Sequence, residues 1–153
     1  MSMRIAIGCD HNGLELKHYL MVALDQLGYE YYDAGCYDNN SVDYPDIAHE
    51  VAESVSIGSF DHGILICGTG IGMSIAANKV LGVRAALCND TFSAQRSREH
   101  NDANILCIAG GVVRDTQAIE ILNAYLQAEF EGGRHSIRVD KISMSEIHSN
   151  KAD

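Results

Sequence analysis

Short apolar runs of strand-like composition alternate with longer segments of helical period along this chain. The strand-like runs are RIAI, YEYYDAG, HGILIC, VRAALC and ANILCIAGG. The first helical segment carries one apolar stripe, made of Leu16, Leu20, Leu24 and Leu27, and ends at Gly28. Because successive parallel strands need a crossover connection, this alternation predicts an α/β fold with a five-stranded parallel sheet and helices on both of its faces.

The segments follow one another without a linker, a repeat or a low-complexity stretch, so residues 1–153 are expected to form a single domain. Two boundaries can be predicted from local chemistry: Pro45 in the first turn of the second helix, and Thr91 as the N-cap of the fourth. The polar tail from about residue 134 carries scattered apolar residues. We expect it to form a final helix that packs on a partner subunit.

Charge and cysteine content exclude several classes of partner. A net charge of −10 argues against nucleic acid, because a phosphate backbone needs a basic face. No apolar run approaches the length that spans a bilayer, so no membrane partner is expected. The five cysteines form no paired spacing; they fit free thiols in a reducing compartment, and hence a cytoplasmic protein.

Polar residues and glycines follow four of the predicted strands directly. They are Cys9, Asp10 and His11 after the first strand, residues 67–72 after the third, Asn89 and Asp90 after the fourth, and Gly110 and Gly111 after the fifth. In parallel α/β sheets, ligands bind outside the carboxyl ends of the strands. The sequence therefore predicts a ligand site at this edge.

The loop CGTGIG after the third strand contains Gly68, Gly70 and Gly72. Glycines allow a sharp turn that points several backbone amides at one place, and the following helix adds its positive N-terminal end, which together favour a small anion. Alternatively, the glycines only relieve crowding in a strand-to-helix turn. Met73 stands where the dinucleotide fingerprint has its third glycine, and no Lys-Ser or Lys-Thr pair marks a nucleoside-triphosphate loop.

Cys67 directly precedes these glycines. A thiol at a helix N-terminus lies in a field that favours the thiolate, which could act as a base or nucleophile. The alternative is an inert buried cysteine, which is the role we predict for Cys9, Cys88 and Cys107. Only Cys67 has an anion hole within reach.

Other candidate residues have a structural alternative. His100 ends a short helix, where a histidine cation suits the helix C-terminus, or it is a proton donor at the sheet edge. Arg134 and Arg138 are spaced to share a helix face and clamp a phosphate, or to face solvent. Asp10 and His11 could cap the first helix. A metal site is not expected, because the adjacent residues Cys9, Asp10 and His11 seldom converge on one ion.

Four segments in register, IGCDHNG, ICGTGIGMSIAANK, SREHNDANIL and EGGRHSIRV, closely resemble the ribose-5-phosphate isomerase B family. That family includes allose-6-phosphate and galactose-6-phosphate isomerase relatives, and the resemblance covers about residues 3–147. It implies a Rossmann-like α/β sandwich that forms homodimers, which can pair into tetramers, with active sites at the subunit interface. It also implies interconversion of an aldose phosphate and a ketose phosphate without a cofactor or metal.

The resemblance implies roles for individual residues. Cys67 would be the base that moves the proton, while His100 and Thr69 would assist opening of the sugar ring. The enediolate hole would be formed by backbone amides of residues 68–72, those of Gly68, Gly70, Ile71 and Gly72 among them. Sugar hydroxyls would bind Asp10 and Asn101, and the phosphate would bind His11, Arg134 and Arg138.

The chain departs from the family pattern at two positions. Met73 occupies the place of a glutamate that serves as base in members without the cysteine, which leaves Cys67 as the candidate base. Gly111 replaces the arginine that usually follows the fifth strand, and we expect Arg114, three residues later, to supply the missing phosphate contact or to be a solvated charge at a helix start.

Three functions remain open at this stage. The first is isomerisation of ribose 5-phosphate and ribulose 5-phosphate. The second is the same reaction on a hexose 6-phosphate such as that of allose or galactose. The third is a non-catalytic module that binds a phosphate or nucleotide; it would need neither Cys67 nor His100.

Overall fold

A computed structural model describes residues 2–149 and contains one five-stranded sheet with six helices. The strands are β1 (Arg4–Cys9), β2 (Glu30–Asp33), β3 (His62–Cys67), β4 (Ala85–Leu87) and β5 (Ile105–Ala109). The helices are α1 (Leu14–Leu27), α2 (Tyr44–Ser56), α3 (Ile71–Ala77), α4 (Thr91–Asn101), α5 (Asp115–Gln127) and α6 (Arg134–Ser149). The predicted alternation is confirmed.

The sheet is parallel throughout, in the order β2-β1-β3-β5-β4. Ile7 of β1 pairs with Ile64 of β3, which in turn pairs with Leu106 of β5. Strands β1, β3 and β5 lie in the centre, and their residues are almost all buried, as continuous apolar runs of parallel strands require. All five carboxyl ends therefore meet at one edge.

Each face of the sheet has its own apolar core. On one face, Ile64 and Ile66 of β3 pack with residues of α1 and α5, including Leu20 and Ile121. On the other, Leu65 and Cys67 pack with residues of α2 and α3. Successive residues of a strand point to opposite faces, so β3 serves both cores. The predicted Rossmann-like sandwich, with helices on both faces, is confirmed.

Two predicted helix boundaries agree with the structure. Gly28 ends α1 in the left-handed conformation (φ 77°), and Pro45 lies in the first turn of α2, as predicted. The predicted cap of α4 is wrong by one residue. Asp90 is the N-cap, because its carboxylate accepts the backbone N–H of Ser93 at 2.6 Å, and Thr91 is the first helical residue.

The predicted final helix is present as α6, which packs on α4. Only His135 and Val139 of α6 are buried, whereas Ile137, Ile142 and Ile147 are exposed. These apolar side chains suit contact with another molecule, and packing of the tail on a partner subunit stays a prediction. Residues 150–153 of the tail lie outside the described residues. Within residues 2–149, no helix combines the length and apolar character needed to cross a membrane.

A buried histidine lies at the amino-terminal edge of the sheet. His62, at the start of β3, is 8% exposed, and its Nδ1 lies 2.9 Å from the hydroxyl oxygen of Tyr125. That hydroxyl also donates to the carbonyl of Ala103 at 3.0 Å. Burial, with a smaller effect of the Arg98 charge, lowers the pKa of the His62 imidazole to about 4. His62 is therefore buried in its neutral form.

This histidine makes stability depend on pH. In the unfolded chain its pKa is about 6.5, so the unfolded state binds more protons between pH 6.5 and about 4. The free energy of unfolding is therefore undiminished by His62 above pH 6.5. It falls by up to about 3 kcal/mol as pH falls through that window. We expect His62→Gln to lower stability at pH 7.5 but to flatten the acid limb of denaturant unfolding curves. An acid limb identical to that of wild type would contradict this account.

Candidate active site

An open cleft lies at the carboxyl edge of the sheet, with a volume of about 850 Å³. Seven of the predicted site residues line it: Asp10, His11, Cys67, Gly68, Thr69, Ile71 and Gly72. They come from the ends of β1 and β3 and from the start of α3. The structure thus brings these seven residues together at the carboxyl edge, and their roles as site residues stay a prediction.

The floor of the cleft is the sharp turn between β3 and α3. Gly70 has φ 72°, and a Cβ there would lie 2.5 Å from Leu87 Cδ1 and 3.0 Å from the backbone carbon of Ile108. Both the left-handed conformation and the lack of space require glycine. The turn holds Cys67 against β5, since the N–H of Gly110 donates to the Cys67 carbonyl at 2.8 Å.

The same turn points a hydrogen-bond donor at the Cys67 thiol. The backbone N–H of Gly70 donates to Cys67 Sγ at 3.2 Å. An N–H directed at sulfur solvates negative charge on a thiolate while the side chain stays 5% exposed. The backbone N–H of the next residue, Ile71, donates to the hydroxyl of Thr69 at 3.3 Å. Cys67 thus sits where a proton can be taken from a ligand in the cleft.

Three other cysteines, Cys9, Cys88 and Cys107, are buried in the apolar core. Burial raises the pKa of Cys9 to about 12 and that of Cys88 to about 11, and it also raises the pKa of Cys107. These three thiols stay protonated at neutral pH, in agreement with an inert structural role.

Gly72 lies against a residue that sequence reasoning missed. A Cβ at Gly72 would lie 2.5 Å from the ring of Tyr44, which lines the cleft together with residues 41–46. Residues 41–46 come after β2, and the carboxyl end of β2 lies at the same edge of the sheet. The long stretch between YEYYDAG and the second helix was the available signal.

Asp10 and His11 are held by backbone contacts. Asp10 is 5% exposed; its Oδ1 accepts the N–H of Asn12 at 2.9 Å, and its own N–H donates to the Ile66 carbonyl at 3.1 Å. His11 Nδ1 accepts the N–H of Val42 at 3.4 Å. His11 Nε2 lies 3.4 Å from the side-chain amide nitrogen of Asn12. The two side chains line one wall of the cleft rather than cap α1, whose N-cap is Gly13.

Four further predicted residues form a second group: His100, Asn101, Arg134 and Arg138. Within one chain they do not line the cleft, so the prediction that His100 lies at the same sheet edge as Cys67 is wrong. Helix α4 starts at the carboxyl edge and ends at Asn101, just before Ala103 and β5, so His100 lies at the amino-terminal edge. A crossover helix runs opposite to the strands that it connects, which places its C-terminus at the far edge.

The second group is exposed and lies beside the start of α6. The ring of His100 stacks on that of His135, with a centroid distance of 4.1 Å and an interplanar angle of 11°. Arg134 and Arg138 are both exposed in the first turns of α6, as is Asn101 at the end of α4. Burial lowers the pKa of His135, and the charges of His100 and Arg134 lower it further.

Comparison with known proteins identifies this arrangement. The family model described as Ribose/Galactose Isomerase matches residues 5–142. The chain belongs to this family. Ribose-5-phosphate isomerase B of Escherichia coli is 48% identical over 147 residues, which cover 96% of this chain and 99% of that protein.

Two further relatives bear on fold and substrate. The structure of ribose-5-phosphate isomerase B from Mycoplasma genitalium with bound ribulose-5-phosphate matches with a TM-score of 0.92 and 45% identity, covering 96% of this chain and 98% of that one. The D-erythrulose-4-phosphate isomerase of Pectobacterium atrosepticum is 44% identical, over 97% of this chain and 98% of its own length. Relatives of this chain are thus named for sugars of different length.

Of the two departures from the family pattern, Met73 is buried in the core, and Gly111 lies against the glycine loop. The N–H of Gly111 donates to the Gly68 carbonyl at 2.9 Å, so Gly111 adjoins the glycine loop. Arg114 is the N-cap residue of α5 and is exposed. It is not among the residues that line the cleft, and its phosphate contact stays a prediction.

The two glycines of the turn allow a matched test of the steric argument. Gly70→Ala is expected to lower the free energy of unfolding by about 2–4 kcal/mol, because it adds a left-handed alanine and a clash with β5. Gly68→Ala is the control, since its Cβ would have no neighbour closer than 3.8 Å, and should cost less than about 1 kcal/mol. Equal losses in chemical denaturation would contradict the assignment of the constraint to Gly70.

Proposed function

We propose that this chain is a cofactor-independent aldose–ketose isomerase that interconverts ribose 5-phosphate and ribulose 5-phosphate. The observation that carries the proposal is the position of Cys67: a thiol in an open cleft, with the Gly70 N–H directed at its sulfur. Family membership and the ribulose-5-phosphate bound to the Mycoplasma genitalium relative support the reaction and the ligand class. Five free cysteines suit a reducing, cytoplasmic setting.

The reaction starts with opening of the furanose ring of ribose 5-phosphate. His100 and Thr69 assist the transfer of a proton from the C1 hydroxyl to the ring oxygen, which leaves an aldehyde at C1. Thr69 lines the cleft and is exposed. Asp10 and Asn101 hold sugar hydroxyls, so that carbon C2 faces the thiol.

Isomerisation then needs one base. The Cys67 thiolate removes the proton from C2, and the electron pair forms the C1–C2 double bond of an enediolate with negative charge on the C1 oxygen. Backbone amides of the 68–72 loop stabilise that charge; donors placed in this way contribute about 3–4 kcal/mol each. Cys67 then returns its proton to C1, and the proton of the C2 hydroxyl passes to the C1 oxygen. This yields the C1 hydroxyl and the C2 ketone of ribulose 5-phosphate and regenerates the thiolate.

The complete site requires a homodimer. In one chain, Cys67 and His100 lie at opposite edges of the sheet, yet both serve the same sugar in the proposed reaction. We therefore assign the cleft to one protomer and the group of His100, Asn101, Arg134 and Arg138 to its partner. Exposed apolar side chains suit such an interface; they include Ile71 and Ile75 of α3 and Phe92 at the start of α4. Pairs of dimers could form a tetramer.

The phosphate is bound by His11 of the cleft and by Arg134 and Arg138, one helical turn apart on α6. Arg114 compensates for the arginine that is replaced by Gly111. Its planar guanidinium suits phosphate oxygens, and it follows the Gly110–Gly111 backbone that contacts the catalytic loop.

A second candidate function is the same chemistry on a sugar phosphate of another length. The family description covers galactose, and one relative is named for a four-carbon sugar. The proton transfer at C1 and C2 is the same in each case, so only the distance between Cys67 and the phosphate-binding residues selects the length.

Substrate length can be measured directly. Purified protein should isomerise ribose 5-phosphate with a higher kcat/KM than allose 6-phosphate, galactose 6-phosphate or D-erythrulose 4-phosphate, each followed by a product-specific coupled assay. A hexose or tetrose phosphate with the highest kcat/KM would replace the pentose assignment. No turnover of any of the four would favour a non-catalytic binding module.

Cys67→Ala should retain the fold and bind substrate with nearly unchanged KM, while kcat falls about 10²–10⁴-fold, since a positioned base is lost. Cys107→Ala is the matched control: it removes a buried thiol of β5 that belongs to the same apolar core as Cys67 but does not line the cleft. Its kcat should stay near that of wild type. A kcat for Cys67→Ala within about fivefold of wild type would rule out Cys67 as the base.

Arg114→Ala should raise KM for ribose 5-phosphate about tenfold or more, because a charge-assisted hydrogen bond contributes roughly 1.5–3 kcal/mol. The kcat should be spared, as for an interaction of equal strength in the ground and transition states. Arg4→Ala removes another exposed charge, at the other edge of the sheet beside Asp61, and serves as the control. Equal KM values for the two variants would show Arg114 to be a surface charge.

A further inference from the structure

Three metal-ligating side chains converge beside the second group of site residues. They are His100 in the last turn of α4, Glu131 before α6 and His135 in the first turn of α6. Each offers one ligand atom, and these atoms all lie within 4.8 Å of one another. The backbone fixes the arrangement, because the N–H of Glu131 donates to the carbonyl of Glu99 at 3.0 Å and so ties the loop to α4.

One ring nitrogen of His135 is buried without a hydrogen-bond partner in the described part of the chain. Its side chain is 9% exposed, and Nε2 has no hydrogen-bond partner among the described residues. Oε2 of Glu131 lies 3.4 Å from this nitrogen, yet the two atoms do not form a hydrogen bond. A buried, unsatisfied ring nitrogen is unfavourable, and native proteins normally satisfy such an atom with protein, water or an ion.

From this geometry we infer that His100, Glu131 and His135 form a binding site for a divalent transition metal ion of the zinc class. Two imidazoles and one carboxylate are a ligand set typical of zinc sites that keep a fourth position open. Mg²⁺ and Ca²⁺ prefer six or more oxygen ligands, whereas this cluster offers one carboxylate. Selectivity should therefore follow ligand softness.

The distances require only small adjustments. Ligands around a tetrahedral Zn²⁺ at about 2.0–2.1 Å are separated by roughly 3.3 Å. Oε2 of Glu131 lies 3.4 Å from His135 Nε2 and 3.9 Å from His100 Nε2. The two rings are now parallel and must splay apart so that both lone pairs meet at one point. The ring of His100 is 35% exposed at a helix end, so it is the one that turns.

The site would couple metal binding to turnover; this consequence alone rests on the proposed function. A metal bound to His100 Nε2 occupies the lone pair that assists ring opening. Zinc should therefore inhibit the isomerase, and the inhibition should be reversed by a chelator. The metal acts as an inhibitor and is not needed for the chemistry at Cys67.

Binding can be measured without turnover by titrating the full-length protein with Co²⁺ and Zn²⁺. Co²⁺ gives visible d–d absorption, and a thiolate-to-metal charge-transfer band reports any cysteine ligand. Wild type should bind one ion per chain without that band. His135→Gln and Glu131→Gln should each weaken binding roughly tenfold or more. His18→Gln, which removes an exposed histidine of α1, is the control for adventitious surface binding and should bind like wild type.

Each outcome decides the inference. Loss of affinity in the two cluster variants, with none in His18→Gln, supports the site. Unchanged affinity in both, saturation with a charge-transfer band, or the same affinity for Mg²⁺ as for Zn²⁺ overturns it. Because His135 is buried and its replacement could disturb folding, His100→Gln provides a variant at an exposed ligand, and it should lose affinity as well. Absence of turnover in wild type would affect the proposed function but not this result.

Discussion

The left-handed turn at Gly70 is the constraint on which the candidate site depends. No side chain fits between it and Ile108, so the loop lies directly against β5. That closeness allows the Gly110 N–H to reach the Cys67 carbonyl and the Gly70 N–H to reach the Cys67 sulfur. The proposed base and its donors are thereby placed by backbone alone, which costs little reorganisation when charge develops on the substrate.

Much of this arrangement could be predicted from the sequence, because it depends on local chemistry and on strand order. Alternating periodicity predicts the parallel sheet, and the sheet fixes the edge at which CGTGIG must lie. Tyr44 was missed because its contact with Gly72 joins the starts of α2 and α3, which are distant in the sequence. The N-cap of α4 was misplaced by one residue because Asp90 and Thr91 are both good capping residues, and only the extended backbone of Asp90 decides between them.

The position of His100 shows a different limit. Its place at a helix end was correct, yet a crossover helix carries its last turn to the far edge of the sheet. A single chain thus separates Cys67 from His100, and the proposed reaction brings them together only across two chains. The cluster of His100 with Glu131 and His135 depends on how α6 packs on α4, which local sequence patterns do not predict.

The division of one site between two protomers is tested most directly by mixing two defective proteins. Cys67→Ala and the double variant His100→Ala/Arg138→Ala are each expected to be nearly inactive as homodimers. After dissociation and random reassociation, half of the dimers are mixed, and each has one intact and one doubly defective site. The account predicts recovery of about a quarter of wild-type activity, as expected for an isologous dimer. No recovery, although mixed dimers form, would contradict it and place the whole site within one chain.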